Sequence, residues 1–303
     1  MKQLVKLNLI DELDFFVAHG NGLINVILGP RQVGKTTTLL KYLEDHYQDR
    51  ADYYNADQVF NSQAQWLLEI CLKAQKNKKM LVIDEIQKCE NWAEVIKKNY
   101  DQFKREKKDF SCALLGSSSL QIQKGLSKSL TGRFKLIPAY HWNFSESKKG
   151  YDLTFSEYLK FGGYPGAYQF IGSKDWIDYV KNSIIATVIE KDILQYNKVK
   201  SPALFKQAFL IKALAKFSTN TIKTKTSSPE NLPLAPCLYY LTILDEYSAE
   251  EMGRVFELLV GAQLVRTGEQ IYYWREGNLE VDFVLKRGKK IGPMKLRAAE
   301  KKS

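Results

Sequence analysis

Cysteine and histidine are scarce in this 303-residue chain, with four of the first and three of the second. Cys71, Cys89, Cys112 and Cys237 stand singly, with no C-x-x-C pair, and three of them fall in apolar periodic segments. Neither a disulfide framework nor a thiolate metal site is expected from that spacing. His19, His46 and His141 are equally dispersed, which leaves histidine-based nucleophilic or metal chemistry without support. Runs of roughly eighteen apolar residues, the length that spans a bilayer, are absent, and the opening Met-Lys-Gln-Leu-Val-Lys leads into no signal-peptide core. The expectation is a soluble cytoplasmic protein with no membrane partner.

Acidic charge is also in short supply. Lys and Arg outnumber Asp and Glu by 45 to 34, for a formal net charge of +11. Eight of those cations, against a single Glu, lie between Lys286 and Ser303, so most of the excess sits in one stretch. It reads either as a contact for a phosphate backbone or as a solvated end. The mixed run Lys104-Arg-Glu-Lys-Lys108 reads as a solvated loop.

What is present is more specific. Gly29, Pro30, Arg31, Gln32, Val33, Gly34, Lys35 and Thr36 spell G-x-x-x-x-G-K-[ST], and the apolar run Leu23 to Leu28 feeds straight into them. Glycines at those positions let successive backbone N–H groups turn inward around phosphates. Lys35 then reaches the β/γ oxygens and the Thr36 hydroxyl ligates Mg²⁺. From Lys35 to His46, Leu39, Leu40 and Leu43 recur at helical spacing, so a helix N-terminus, Thr37 included, aims its partial positive charge at the same anion. ATP with Mg²⁺ is the expected ligand pair.

The first 140 or so residues alternate strand-like and helix-like patterns, which predicts an α/β fold, a parallel sheet flanked by helices. Strands are expected at 52–55, 80–83 and 112–115. One intervening helix carries Phe60, Ala64, Leu67, Leu68 and Cys71 on a stripe, and a second carries Trp92, Val95, Ile96 and Phe103. Because open parallel sheets bind ligands at the carboxyl ends of their strands, Gly29, Asp84 and Gly116 should converge. Beyond His141 the pattern turns helical: 155–161, then 176–194 with Ile177, Val180, Ile184 and Val188 on one face, then 203–217. Residues 219–236 read as linker, 250–265 as a helix, and 270–285 as a hairpin. The expected division is a P-loop domain over 1–143, a helical region over 144–218, a linker over 219–249 and a small α+β end over 250–303.

Leu81-Val-Ile-Asp84-Glu85 is an apolar strand ending in two carboxylates. Asp84 is placed to hold the Mg²⁺ shell, and Glu85 to polarise an attacking water. An acid directly after that Asp fits a hydrolase and disfavours a nucleotide kinase. Ser117, within Gly116-Ser-Ser-Ser119, is the preferred candidate for sensing the γ-phosphate, although a serine-rich strand end is also ordinary helix-capping chemistry. Arg133 either stabilises the transferring phosphoryl group, in cis or across a subunit interface of a homo-oligomer, or is a solvated turn residue.

Taken in order, these residues resemble a prokaryotic family of AAA-type P-loop ATPases whose members carry a C-terminal domain of unknown function with a restriction-endonuclease-like core. Further motifs that bear the resemblance are Asp84-Glu-Ile-Gln-Lys with Trp92, His141-Trp-Asn-Phe-Ser-Glu146 and Phe161-Gly-Gly-Tyr-Pro-Gly166. Others are Glu190-Lys-Asp-Ile193, Gly253-Arg-Val-Phe-Glu257, and Tyr273-Trp-Arg-Glu276 with Glu280-Val-Asp-Phe283. The resemblance implies ATP hydrolysis coupled to an unidentified protein or DNA partner. Two departures stand out: a winged-helix-like segment expected after Phe217 has no counterpart, and Pro293-Met-Lys295 replaces the Glu-x-Lys that a nuclease strand would offer beside Glu257, Glu280 and Asp282. DNA cleavage is therefore not expected. Alternatives to an ATPase are a nucleotide-gated interaction protein with negligible turnover and a DNA-associated factor using the basic 286–303 stretch.

Overall fold

The computed structural model describes residues 9–11, 13, 22–59, 61–117, 120–187, 247–267, 270–276, 279–287 and 290–294. The helix expected over 203–217, the 219–236 linker, Phe60, Ser118, Ser119, His19, Cys237 and residues 295–303 lie outside them.

Two compact units share the chain: one holds 22–141 and 178–187, the other 142–177 and the described residues from 247 onward. The helical region expected over 144–218 is thus not one body. Its first part belongs with the C-terminal elements, whereas the segment after Ile177 belongs to the first unit, where the Ser183 carbonyl accepts a 2.8 Å hydrogen bond from Gln32 Nε2.

In the first unit, β1 (Ile24–Gly29), β2 (Ala51–Asn55), β3 (Met80–Asp84), β4 (Cys112–Ser117) and β5 (Phe134–Pro138) form one parallel sheet in the order β2-β3-β4-β1-β5. β3 and β4 are buried at every position, while β2 and β5 lie at the edges and are only part-buried. That is why the inner strands read as continuous apolar runs rather than alternating ones. The connecting helices are α1 (Lys35–His46), α2 (Gln63–Asn77), α3 (Trp92–Arg105) and α4 (Leu120–Ser129). The inward stripes of α2, α3 and α4 meet the sheet in a core that includes Val26, Leu67, Ile70, Leu81, Ile83, Ile96, Leu114 and Ile122. The α2 stripe differs from the expected one: Leu67, Ile70, Cys71 and Ala74 are buried, while Ala64 and Leu68 face outward. Four closely spaced apolar residues near the helix start are compatible with two faces, and contact with the sheet decides between them.

The expected helix from Trp176 is also different in kind. A single α-turn, α7 (Asp175–Asp178), passes into a π-helix over Tyr179–Ile185 that buries Val180, Ile184 and Ile185. Ile177, just before the π-helix, is only part-buried. The rest of that expected helix, from Val188, lies outside the described residues.

The second unit contains α5 (Phe144–Tyr151) and α6 (Phe155–Phe161), each opened by a reciprocal capping box, Asn143 with Glu146 and Thr154 with Glu157. Each box satisfies two of the helix's orphan donors, typically worth about 1 kcal/mol per cap. The turn after α6 passes through Gly162 at φ 68°, and the Tyr168 hydroxyl donates to the Gly162 carbonyl at 2.7 Å. Tyr158 and Leu159 of α6 pack with Val255 and Leu259 of the long helix α8 (Ala249–Arg266). The hairpin predicted over 270–285 is present as β6 (Gln270–Glu276) and β7 (Leu279–Arg287), joined by β8 (Lys290–Met294) in an antiparallel sheet. Pro293 sits on the edge strand β8, where a missing ladder donor is tolerated.

Candidate nucleotide site at the end of the parallel sheet

Parallel pairing dictates where the site forms. Gly29 is in register with Ser117 on β4, and Asn55 of β2 with Asp84 of β3, so the last residues of four strands share one rim. Gly29 is the point at which the chain leaves β1. A Cβ there would lie 2.8 Å from the carbonyl carbon of Ala139, and closer still to its oxygen, so only glycine lets the chain leaving β5 pass. The loop then turns through Gln32 at φ 61° and Gly34 at φ 86°. Gly34 caps α1 without any side-chain hydrogen bond, and no acidic residue occupies the first turn. The helix thus presents main-chain N–H groups and a positive dipole end that no capping side chain engages.

Around this opening the predicted residues converge. The Thr36 hydroxyl donates to Asp84 Oδ2 at 2.5 Å across 48 residues of sequence. Asp84, 3% exposed, also accepts from the Glu85 N–H at 2.8 Å and from the Tyr53 hydroxyl at 3.1 Å. Burial, and then the neighbouring Asp84 charge, push the Tyr53 phenol well above its ordinary value, so it remains a neutral donor. Lys35 Nζ donates to the carbonyls of Gly29 at 3.0 Å and Pro30 at 2.6 Å. Arg31 donates through Nη2 to Ser117 Oγ at 3.4 Å and lies 4.0 Å from Glu85 Oε2 through Nη1. Gln87 Nε2 makes a short hydrogen bond to the same Glu85 oxygen.

Arg133 does not join this assembly. Its carbonyl accepts from Ile24 N–H at 2.9 Å, which fixes it beside the start of β1. Five strand rises of about 3.3 Å, roughly 16 Å, then separate it from Gly29. Its guanidinium grips Asp101 of α3 instead, with bonds of 2.6 and 3.0 Å, and that hydrogen bonding holds the Asp101 carboxyl below its ordinary value. The expectation of a catalytic role within one chain is corrected: a Thr-Gly-Arg turn that precedes a parallel strand lies at the amino end of the sheet, away from the ligand rim. Conversely, Tyr53 and Gln87 are at the site and were not anticipated. Gln87 stands two residues after Glu85, a spacing visible in the sequence, whereas the contact between Tyr53 and Asp84 depends on the pairing of β2 with β3.

Two hard oxygens, Thr36 Oγ1 and Asp84 Oδ2, meet at the base of the loop. Among the described residues no group of three or more His, Cys, Asp or Glu converges. That donor set suits Mg²⁺, which keeps several waters and takes one or two protein oxygens beside substrate phosphates. It offers no all-protein cage. No described helix is long and apolar enough to cross a membrane.

Comparison with known proteins agrees with this architecture. Residues 21–148 match the AAA domain family, and residues 252–303 match a domain of unknown function, DUF4143. An uncharacterized protein of Methanocaldococcus jannaschii is 27% identical over 331 aligned positions, covering 86% of this chain and 72% of the relative. Since 86% of 303 residues is about 261, some 70 aligned positions have no residue of this chain. Among solved structures, AMPPCP-bound DnaA from Aquifex aeolicus is similar at 14% identity and a TM-score of 0.38, over 86% of this chain and 90% of that one. The Thermotoga maritima RuvB Holliday junction branch migration motor is similar at 15% identity and a TM-score of 0.35, over 90% of each chain. The phosphate loop at the carboxyl end of the parallel sheet thus lies within the stretch that matches the AAA domain family, and the stretch that matches DUF4143 follows it in the chain.

Proposed function

We propose that this protein binds ATP with Mg²⁺ at the β1–α1 loop and hydrolyses it in the cytoplasm, coupling turnover to a partner of the second unit. The observation that carries the reading is the 2.5 Å bond between Thr36 and Asp84, which brings the phosphate loop and the acidic strand end to one point. In the resting loop Lys35 is held by two carbonyls. Exchanging these neutral acceptors for anionic β/γ-phosphate oxygens adds ion-pair attraction to hydrogen bonds whose donor is already charged. The N–H groups of residues 31 to 37 would line the anion, Gln32 and Gly34 supplying the turns that point them inward. Thr36 and Asp84 would hold Mg²⁺, which would supply charge neutralisation to the phosphates. Glu85, on the first residue past β3, polarises the water, and Ser117, in register with Gly29, lies where a γ-phosphate would be sensed.

Phosphate release tests the reading. Lys35→Ala should lose binding and turnover together. Glu85→Gln should still bind Mg-ATP while turnover falls on the order of 10²- to 10⁴-fold, the usual contribution of a general base. Parental turnover in Glu85→Gln would refute the hydrolytic assignment and leave a nucleotide-gated binder.

A further inference from the structure

We propose that Gln87 is a positioning residue for Glu85, gripping one carboxylate oxygen so that the other is aimed at the hydrolytic water. This rests on the assignment of Glu85 as the base and adds to it a residue that fixes the base's geometry.

Glu85 sits in the left-handed region, at φ 51°, where a non-glycine residue is uncommon. Its backbone N–H is tied to Asp84 Oδ1. The backbone is thus fixed, but three side-chain torsions still set where the carboxylate oxygens point. Those torsions are restrained from two sides, and both restraints fall on Oε2: the short bond from Gln87 Nε2 and the Arg31 guanidinium at 4.0 Å. Oε1 receives no hydrogen bond from any described residue, so its lone pairs are the ones available to accept a proton.

The two restraints differ in permanence. Arg31 belongs to the phosphate loop and also donates to Ser117, so an arriving γ-phosphate competes for it. Gln87 does not face that competition. It is 8% exposed, on the short helical turn Ile86–Lys88 that follows Glu85. Its amide is packed against Gly116, where an added Cβ would come within 2.6 Å of Gln87 Oε1 and closer still to Ile122. Packing therefore fixes which way the amide points. Chemistry fixes its orientation, since the flipped amide would set a carbonyl oxygen against a carboxylate. The remaining Gln87 Oε1 is buried without a partner. Leaving such an acceptor unpaired is unfavourable, a cost that a purely structural glutamine at this position would have no reason to bear.

A residue that acts by aiming the base should change turnover and leave substrate binding alone. The test compares Gln87→Met, which keeps length and packing but lacks the donor, with Gln87→Glu, which sets a second carboxylate beside Glu85. Both are measured in the full chain by Mg-ATP titration and single-turnover phosphate release, with Glu85→Gln as a parallel arm. Expected is a turnover loss of roughly 10- to 100-fold in Gln87→Met and a larger one in Gln87→Glu, with nucleotide affinity in Gln87→Met within about threefold of the parent. Parental turnover in Gln87→Met, or an affinity loss that matches its turnover loss, overturns the proposal. If Glu85→Gln also keeps parental turnover, the assignment of the base has failed. If Glu85→Gln is inactive while Gln87→Met is fully active, only the positioning role has failed.

Discussion

Gly29→Ala is the substitution whose outcome the geometry constrains most tightly. The added Cβ would stand 2.8 Å from the Ala139 carbonyl carbon and 2.9 Å from the Ala139 Cβ, with the carbonyl oxygen closer than either. Relief requires one of two backbones to move, and both are tied. β1 is an interior strand paired with β4 and β5, and the Ala139 N–H donates to the Leu28 carbonyl at 2.7 Å. Overpacking a tight site typically costs about 1–3 kcal/mol. Surrendering the Ala139–Leu28 bond adds about 0.5–1.5 kcal/mol. The sum, about 1.5–4.5 kcal/mol, should appear as a lower urea midpoint at unchanged slope. Because Lys35 rests on the Gly29 carbonyl, the same shift displaces the ammonium, and Mg-ATP affinity should fall at least about tenfold. A Gly29→Ala protein with the parent's midpoint and affinity would refute the claim that close approach at this position holds the loop.

Gly253→Ala, within α8 and with open space around the new methyl, should instead stabilise the second unit by roughly 0.5–1 kcal/mol, read as a raised melting temperature. Arg133→Ala should leave turnover within about twofold of the parent; a drop of tenfold or more would mean that the residue reaches a site on another subunit. Burial pushes the thiols of Cys71 up to about 12 and Cys89 up to about 11, and Cys112 above its ordinary value too. Native thiols raised above their unfolded value of 9.0 favour folding below about pH 9, a contribution lost progressively as pH climbs towards 11–12. Urea midpoints measured from pH 8 to 11 should therefore fall above pH 9, and alkylating reagents should label these cysteines only on unfolding; a flat profile would contradict their burial.

The strands, the phosphate loop and the acidic pair were legible because each is written locally. A buried parallel strand is a continuous apolar run, and the loop is a fixed spacing of glycine, lysine and threonine. Convergence of Gly29, Asp84 and Gly116 followed from the rule that parallel strands end on one rim. What escaped the sequence depends on contacts between distant segments. Nothing near Tyr53 announces that its hydroxyl will meet Asp84, 31 residues away. The placement of Arg133 turned on which end of β5 its turn precedes, and its pairing with Asp101 on a contact with α3. The return of the segment after Ile177 to the first unit, where the Ser183 carbonyl accepts from Gln32, is a contact between distant segments, and hydrophobic period alone disguises its π-turn.

Calorimetric titration of the purified chain with Mg-ATP tests the phosphate cradle most directly. Saturable heat is expected for the parent and for Glu85→Gln, and none for Lys35→Ala. No heat from the parent, or equal heat from Lys35→Ala, would contradict a phosphate cradle built from main-chain amides, one ammonium group and a paired hydroxyl and carboxylate.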